Sequence, residues 1–199
     1  MEYARLPYEY ELHTSFFGKT WTDGGKALSP FGGLPLLVVD GEVLPQSGSI
    51  IRYVARIAGL VPEDAFAAAR CDAIYEAANE LQANGAPTNV NPIVNVFKGE
   101  LWKEKKAAYF DAFPGKLANL AKTLGEGPFF LGPQPFYCDF AVYHVLNNTI
   151  LLEPKALDCH SNILEFMKTI EALPGIKEYL ESRPEPIDIG VAPVLQARL

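Results

Sequence analysis

Gln46 and Ser47 are two polar residues set between apolar runs in "LPLLVVDGEVLPQSGSIIRY", residues 34–53. A helix that starts here presents free backbone N–H groups and a partial positive charge, which suits a carboxylate. Gln46 would add a side-chain amide donor beside it. The same pair has a purely structural use: Ser47 could be the helix N-cap, its oxygen satisfying one orphan N–H. Both readings stand at this level. Leu34-Pro35 comes just before. Only about one X-Pro bond in twenty is cis in folded proteins. A cis bond here would turn the backbone of Leu34 outward, where its N–H and C=O could pair with an extended, peptide-like ligand. Lys26, in a glycine-rich loop, is either simply solvated or a point charge for a second carboxylate. Trp21, in the same loop, is either a packing anchor or an indole N–H donor.

No nucleophile–base pair accompanies these groups. His13, His144 and His160 have no Ser or Cys in triad-like context, and His144 reads as a core histidine. The cysteines Cys71, Cys138 and Cys159 are widely spaced, with no C-x-x-C pair and no Cys/His metal spacing. Cys138 lies near a helix start that would favour a thiolate, but its apolar flank points to a packed, inert thiol. No metal is expected, and no phosphate-cradling G-x-x-x-x-G-K occurs. The formal net charge of −7 argues against a nucleic-acid partner, which needs a basic surface. No apolar run reaches the length of a membrane span, and "MEYARLPYEYELH" has no signal-peptide core. A sparse, odd cysteine count fits a reducing compartment. The expectation is a cytoplasmic protein.

The elements that must position these groups fall into two halves. Residues 1–60 are strand-like and broken by turns. "YEYELH" at residues 8–13 could be a strand. Asp40-Gly41 between "LPLLVV" and "EVLPQ" is a strong hairpin signal, because both central residues of such a turn need positive φ. Pro45 suits an edge. A helix follows, with Ile50, Ile51, Val54, Ile57 and Ala58 at helical spacing and Gly59 as its stop. Residues 61–199 read as helical. "EDAFAAARCDAIYEAANELQAN" places Phe66, Ala69, Ala73, Ile74, Ala77, Ala78 and Leu81 as one apolar stripe. The next helical stretch looks like two pieces separated by Pro114, which should kink or break the helix there. "YCDFAVYHVLNNTILL" reads as a buried central helix. "SNILEFMKTIEAL" and "GIKEYLESR" complete the set, and the tail from Pro184 has no period.

"SPFGGLPLLVVDGEVLPQSGSIIRYVARIAGL", residues 29–60, resembles the glutathione-binding segment of cytosolic glutathione transferases. The order Pro-Phe-Gly, Leu-Pro, Val-Asp-Gly, Gln-Ser, Ile-x-Arg-Tyr carries the resemblance. "FYCDFAVYHVLNN" and "ILEFMKTIEALPGIKEYLESRP" are similar to the central and last helices of that family's second domain. The closest likeness is to the sigma class, with its prostaglandin D synthases and S-crystallins. The implied fold is an α/β thioredoxin-like N-terminal domain over residues 1–60, truncated, then an all-α helical bundle over residues 61–199.

The resemblance implies a glutathione co-substrate, a small electrophile and a homodimer. It puts Gln46 and Ser47 on the γ-glutamyl carboxylate. Leu34, before a cis Pro35, falls on the residue whose backbone pairs with the cysteinyl unit. Trp21 and Lys26 fall near the glycine carboxylate, and Glu80 of one subunit near the γ-glutamyl amine held by the other. Gly33 stands where a lysine or glutamine is common. Phe136 replaces the Ser/Thr of a helix-capping box whose Asp139 is kept. The first strand, the loop with the sulfur-activating tyrosine and most of the first helix have no counterpart. Tyr3, Tyr8 and Tyr10 do not fall on the catalytic position, so no catalytic residue is assigned. Either a longer enzyme is shortened here or a divergent member has repacked. The expected activity is low glutathione conjugation. The alternative is a non-catalytic scaffold of the same fold. A prostaglandin-type isomerase is disfavoured, since of its carboxylate cluster Glu76 and Glu80 remain with Asn79 between them.

Overall fold

The computed structural model describes residues 1–81, 93 and 97–183, and the backbone of 187–188 and 192–193. The chain divides into two compact units, Met1–Leu60 and Val61–Leu199.

The first unit is organised by its turns. Helix α1 (His13–Phe17) ends on Gly18, whose φ of 62° is the left-handed stop. A loop through Trp21 follows, closed by Thr20, whose hydroxyl donates to Asp23 Oδ2 at 2.8 Å and accepts the Asp23 N–H at 3.2 Å. Gly25 ends it by necessity: a Cβ there would lie 2.7 Å from the Thr20 carbonyl oxygen. Strands β1 (Leu36–Val39) and β2 (Glu42–Pro45) pair antiparallel, with Val39 opposite Glu42 and Leu37 opposite Leu44. Asp40 and Gly41 have φ of 51° and 84°, the positive pair that a two-residue hairpin turn needs. Helix α2 (Ser47–Ile57) then runs to Gly59. The N–H of Gly59 reaches the Arg56 carbonyl, and that of Leu60 reaches the Ala55 carbonyl. Those two bonds satisfy the helix's last acceptors.

Residues 8–13 are not a strand. Residues 6–12 have no regular structure, Tyr10 is 83% exposed, and His13 already begins α1. The Tyr/Glu alternation fits a strand, but a strand needs a neighbour, and among the described residues the sheet of this unit holds only β1 and β2.

The second unit is helical. Helix α3 (Ala65–Asn79) is capped by Asp64, which accepts the Ala67 N–H at 2.8 Å. Its buried face is Cys71, Ile74, Tyr75 and Ala78, while Phe66 is 75% exposed and Ala69, Ala73 and Ala77 face solvent. The expected stripe was thus rotated. Alanine is too small to fix a face, so the larger Tyr75 and Ile74 set it. The end of that expected helix, residues 82–84, lies outside the described residues, as does most of the tail.

Helix α4 (Gly99–Leu124) runs through Pro114, so of the kink or break expected there the break does not occur. Its buried residues Tyr109, Phe113, Leu117, Leu120, Ala121 and Leu124 continue one stripe across the proline. Their burial outweighs the lost hydrogen bond to the Phe110 carbonyl. Pro114→Ala is therefore expected to stabilise the protein by about 1–3 kcal/mol, read by denaturant unfolding. Helix α5 (Tyr137–Leu152) is the central one, with Val142, Val145, Leu146 and Thr149 buried. Thr149 Oγ1 lies 2.6 Å from the buried Tyr109 hydroxyl on α4. Helices α6 (Ser161–Glu171) and α7 (Ile176–Ser182) follow, and Phe166 of α6 meets Phe130 edge to face at 5.4 Å. In the tail, β3 (Ile187–Asp188) and β4 (Ala192–Pro193) pair antiparallel where no element was expected. No helix among the described residues is long and apolar enough to cross a membrane.

Candidate functional site

The first turn of α2 has no capping side chain. β2 ends at Pro45, and Gln46 then turns the chain with φ 74° and ψ 115°. Gln46, not Ser47, occupies the N-cap position, and no side chain caps the helix. Ser47 is the first helical residue. The first backbone bond back into the turn is Ile50 N–H to the Gln46 carbonyl at 2.9 Å, so the N–H groups of Ser47, Gly48 and Ser49 are left facing outward. Gln46 and Ser47 are both exposed. The capping use of Ser47 is therefore not realised. The reason is Gln46's positive φ, which puts the half-turn preceding the helix on Gln46 itself.

A positive φ is costly for a side-chain-bearing residue. Gln46→Gly is expected to stabilise the protein by about 1 kcal/mol, measurable in thermal or denaturant unfolding.

The Leu34–Pro35 bond is cis. Leu34 is 47% exposed, just before β1. Ser29 holds the approach to it. Its hydroxyl, 6% exposed, donates to the Gly33 carbonyl. That serine was not singled out in the sequence, although "SPFGG" placed it four residues before Gly33. Phe31 of the Pro-Phe-Gly order has φ 57° and is 82% exposed; a large apolar side chain on a left-handed turn is a local signal that only the backbone angles reveal.

Lys26 sits in a single helical turn, Lys26–Leu28, rather than in open loop. It is exposed, and its side chain passes by Gly32. Trp21 is half-buried and packs edge-on against His13 at 6.0 Å between ring centres, which is the anchor reading. Glu80 belongs to the second unit, just past α3, where its carboxylate is ion-paired with Lys116 of α4. The pair borders a groove of about 300 Å³ lined by Ala73, Ile74, Ala77 and Leu81.

His144 is exposed rather than in the core, and the Asn148 amide lies 3.3 Å from its Nε2. α5 buries the opposite side, Val145 and Leu146. The hydroxyl of Tyr8 donates to Glu2 at 2.7 Å. Among the described residues no group of three His, Cys, Asp or Glu side chains could hold a metal.

The electrostatically unusual group lies in the second unit. Asp139 is fully buried at the start of α5. Its Oδ2 accepts the Phe136 N–H at 2.8 Å and its Oδ1 the Phe130 N–H at 2.9 Å. The return bond of a capping box comes from backbone: the Asp139 N–H reaches the Phe136 carbonyl at 3.0 Å, since phenylalanine has no side-chain acceptor. Burial pushes the carboxyl above its ordinary value, and the two N–H groups pull it back.

Comparison with known proteins adds the following. A family model described as "Glutathione S-transferase, C-terminal domain" matches residues 90–183. The chain is 32% identical over 188 residues to Glutathione S-transferase Mu 2 of Mus musculus, covering 92% of this chain and 83% of that protein. It is 29% identical to Glutathione S-transferase 2 of Gallus gallus, covering 92% and 82%. Among solved structures, the glutathione S-transferase from Ascaris lumbricoides superposes with a TM-score of 0.77 at 27% identity, covering 93% of this chain and 89% of that one. Rat hPGDS complexed with a quinoline shares the fold at a TM-score of 0.77 and 22% identity, covering 93% and 88%.

Proposed function

The chain belongs to the glutathione S-transferase family, and from that premise we propose that it binds glutathione at the open first turn of α2 and adds the thiolate to small electrophiles. One observation supports this above the rest. Gln46 holds a strained turn that leaves the first N–H groups of α2, and the Ser47 hydroxyl, without a capping side chain. A carboxylate is the group those donors suit.

The γ-glutamyl carboxylate is assigned to Gln46 and Ser47. The cysteinyl backbone is assigned to Leu34, beside Gly33 and Pro35, and the glycine carboxylate to Lys26 with Trp21 at the edge. Glu80 is assigned to the γ-glutamyl amine of a partner subunit in a homodimer, where it would exchange its pairing with Lys116. Within the family the sigma-like class is proposed on the residue pattern of 29–60 alone. Relatives of 32% and 31% identity carry Mu-class names, and a substrate profile matching Mu-class enzymes would move the chain there.

Slow conjugation is proposed for these 199 residues by themselves: Tyr3, Tyr8 and Tyr10 do not match the family's sulfur-activating tyrosine, and an unassisted thiol stays mostly protonated at neutral pH. The test is a calorimetric titration with glutathione beside a conjugation assay with an aryl halide. The expected result is saturable binding with slow turnover. Turnover at ordinary family rates would overturn the low-activity reading. No heat and no shift in unfolding midpoint with glutathione would favour the scaffold reading.

A further inference from the structure

Cys71 and Cys138 are 67 positions apart in the chain, and neither has a part in the site above. Both are fully buried. The packing of α3 on the first turn of α5 brings them together. Tyr137, next to Cys138, donates its hydroxyl to Asp72 at 2.6 Å. The rings of Tyr75 and Tyr137 lie 5.6 Å apart. Between these two contacts Cys71 and Cys138 are near enough for each to shift the other's ionisation, and the Cys138 S–H donates to Asp139 Oδ2 at 3.7 Å.

We propose that Cys71 and Cys138 form an oxidisable dithiol that a small hydroperoxide converts to an intramolecular disulfide joining α3 to α5. The two sulfurs have unequal roles. The neighbouring Cys138 thiol holds the Cys71 thiol below its ordinary value. Cys71, burial and the Asp139 carboxylate push Cys138 well above its own ordinary value. Cys71 is therefore the more readily ionised of the two, and it reacts first.

Its sulfur attacks one peroxide oxygen. The O–O bond breaks, the departing hydroxide takes a proton and leaves as water, and Cys71 becomes a sulfenic acid. Cys138 then attacks that sulfur. The S–O bond breaks, and the hydroxide leaves as a second water with the Cys138 proton. Two thiols are oxidised, one peroxide is reduced, and an S–S bond forms. Burial restricts the oxidant to a molecule as small as hydrogen peroxide. The link closes a long loop between two packed helices, so the oxidised protein should unfold at a higher temperature.

The experiment uses the full chain carrying Cys159→Ser, which removes the exposed thiol. The protein is treated with hydrogen peroxide, quenched, unfolded and alkylated, then digested and read by mass spectrometry. The expected result is a linked peptide pair containing Cys71 and Cys138, neither alkylated, with full alkylation restored by a dithiol reductant and a raised unfolding midpoint before reduction. With Cys71→Ala added, Cys138 should remain alkylatable. If that variant does not fold, Cys138→Ala serves instead, and Cys71 should then stop at the sulfenic acid. Full alkylation of both cysteines at a peroxide dose that oxidises Cys159 of the unsubstituted chain would overturn the proposal. So would their conversion to sulfinic acid, or a link between molecules.

Discussion

Asp139→Ala is expected to destabilise the helical unit by about 3–5 kcal/mol, the largest single effect that the structure implies outside its apolar core. The carboxylate serves two backbone N–H groups from different parts of the chain, Phe130 in the loop and Phe136 at the cap. Removing it orphans both donors in a site without solvent, and each orphan costs about 1–3 kcal/mol. Denaturant unfolding measures the loss. A cost below about 1 kcal/mol would mean that the loop finds other acceptors and that Asp139 is only a cap. Asp139→Asn separates charge from geometry. Its amide can accept one of the two bonds, but its NH₂ then meets the second N–H, so it should fall between wild type and alanine.

The same residue fixes the sign of a pH effect. Burial raises the Asp139 carboxyl above its ordinary value in the folded protein. The folded state therefore holds that proton at pH values where the unfolded chain has lost it. This contribution is fully present below the ordinary carboxylate range and is lost as pH rises through the raised value. Asp139→Asn should remove that decline, seen as a flatter stability profile on the acidic side of neutrality. An unchanged profile would assign the decline to other groups.

Ser47→Ala is expected to lower glutathione affinity about tenfold, or about 1.4 kcal/mol, while leaving stability within about 0.5 kcal/mol of wild type. The two halves of this expectation belong together. Had Ser47 been the N-cap, its loss would cost about 1 kcal/mol of stability whatever the ligand. The structure puts Gln46 at that position and leaves Ser47 without a capping bond, so its hydroxyl is free for a ligand carboxylate. Calorimetric titration and thermal unfolding of the same variant decide the matter. A stability loss near 1 kcal/mol with unchanged glutathione affinity would return Ser47 to a capping role.

Local chemistry was legible in the sequence wherever a residue acts on its own neighbours. Asp40-Gly41 specified the hairpin because only a few residue types tolerate positive φ. Gly59 specified the end of α2 for the same reason. The retained Asp139 with a phenylalanine three residues before it specified half of a reciprocal cap, and half is what forms. The order Leu-Pro, Asp-Gly, Gln-Ser was enough to suggest the family before any coordinate.

What needed tertiary structure is whatever depends on a distant partner. The Tyr/Glu alternation of residues 8–13 could not become a strand without a neighbour to pair with. Pro114 could not break α4 because apolar residues on both sides of it are buried in one stripe. The alanines of α3 could not say which face is inward, since each is worth little; Tyr75 and Ile74 could, once there was a helix to pack against. The choice between Ser47 and Gln46 as cap turned on one backbone angle. Cys71 meeting Cys138 and Glu80 meeting Lys116 join residues far apart in the chain. Sequence fixes what a residue can do within a turn or two of itself. Only the packed chain decides which far residue it meets, because that choice is made by the burial of whole faces.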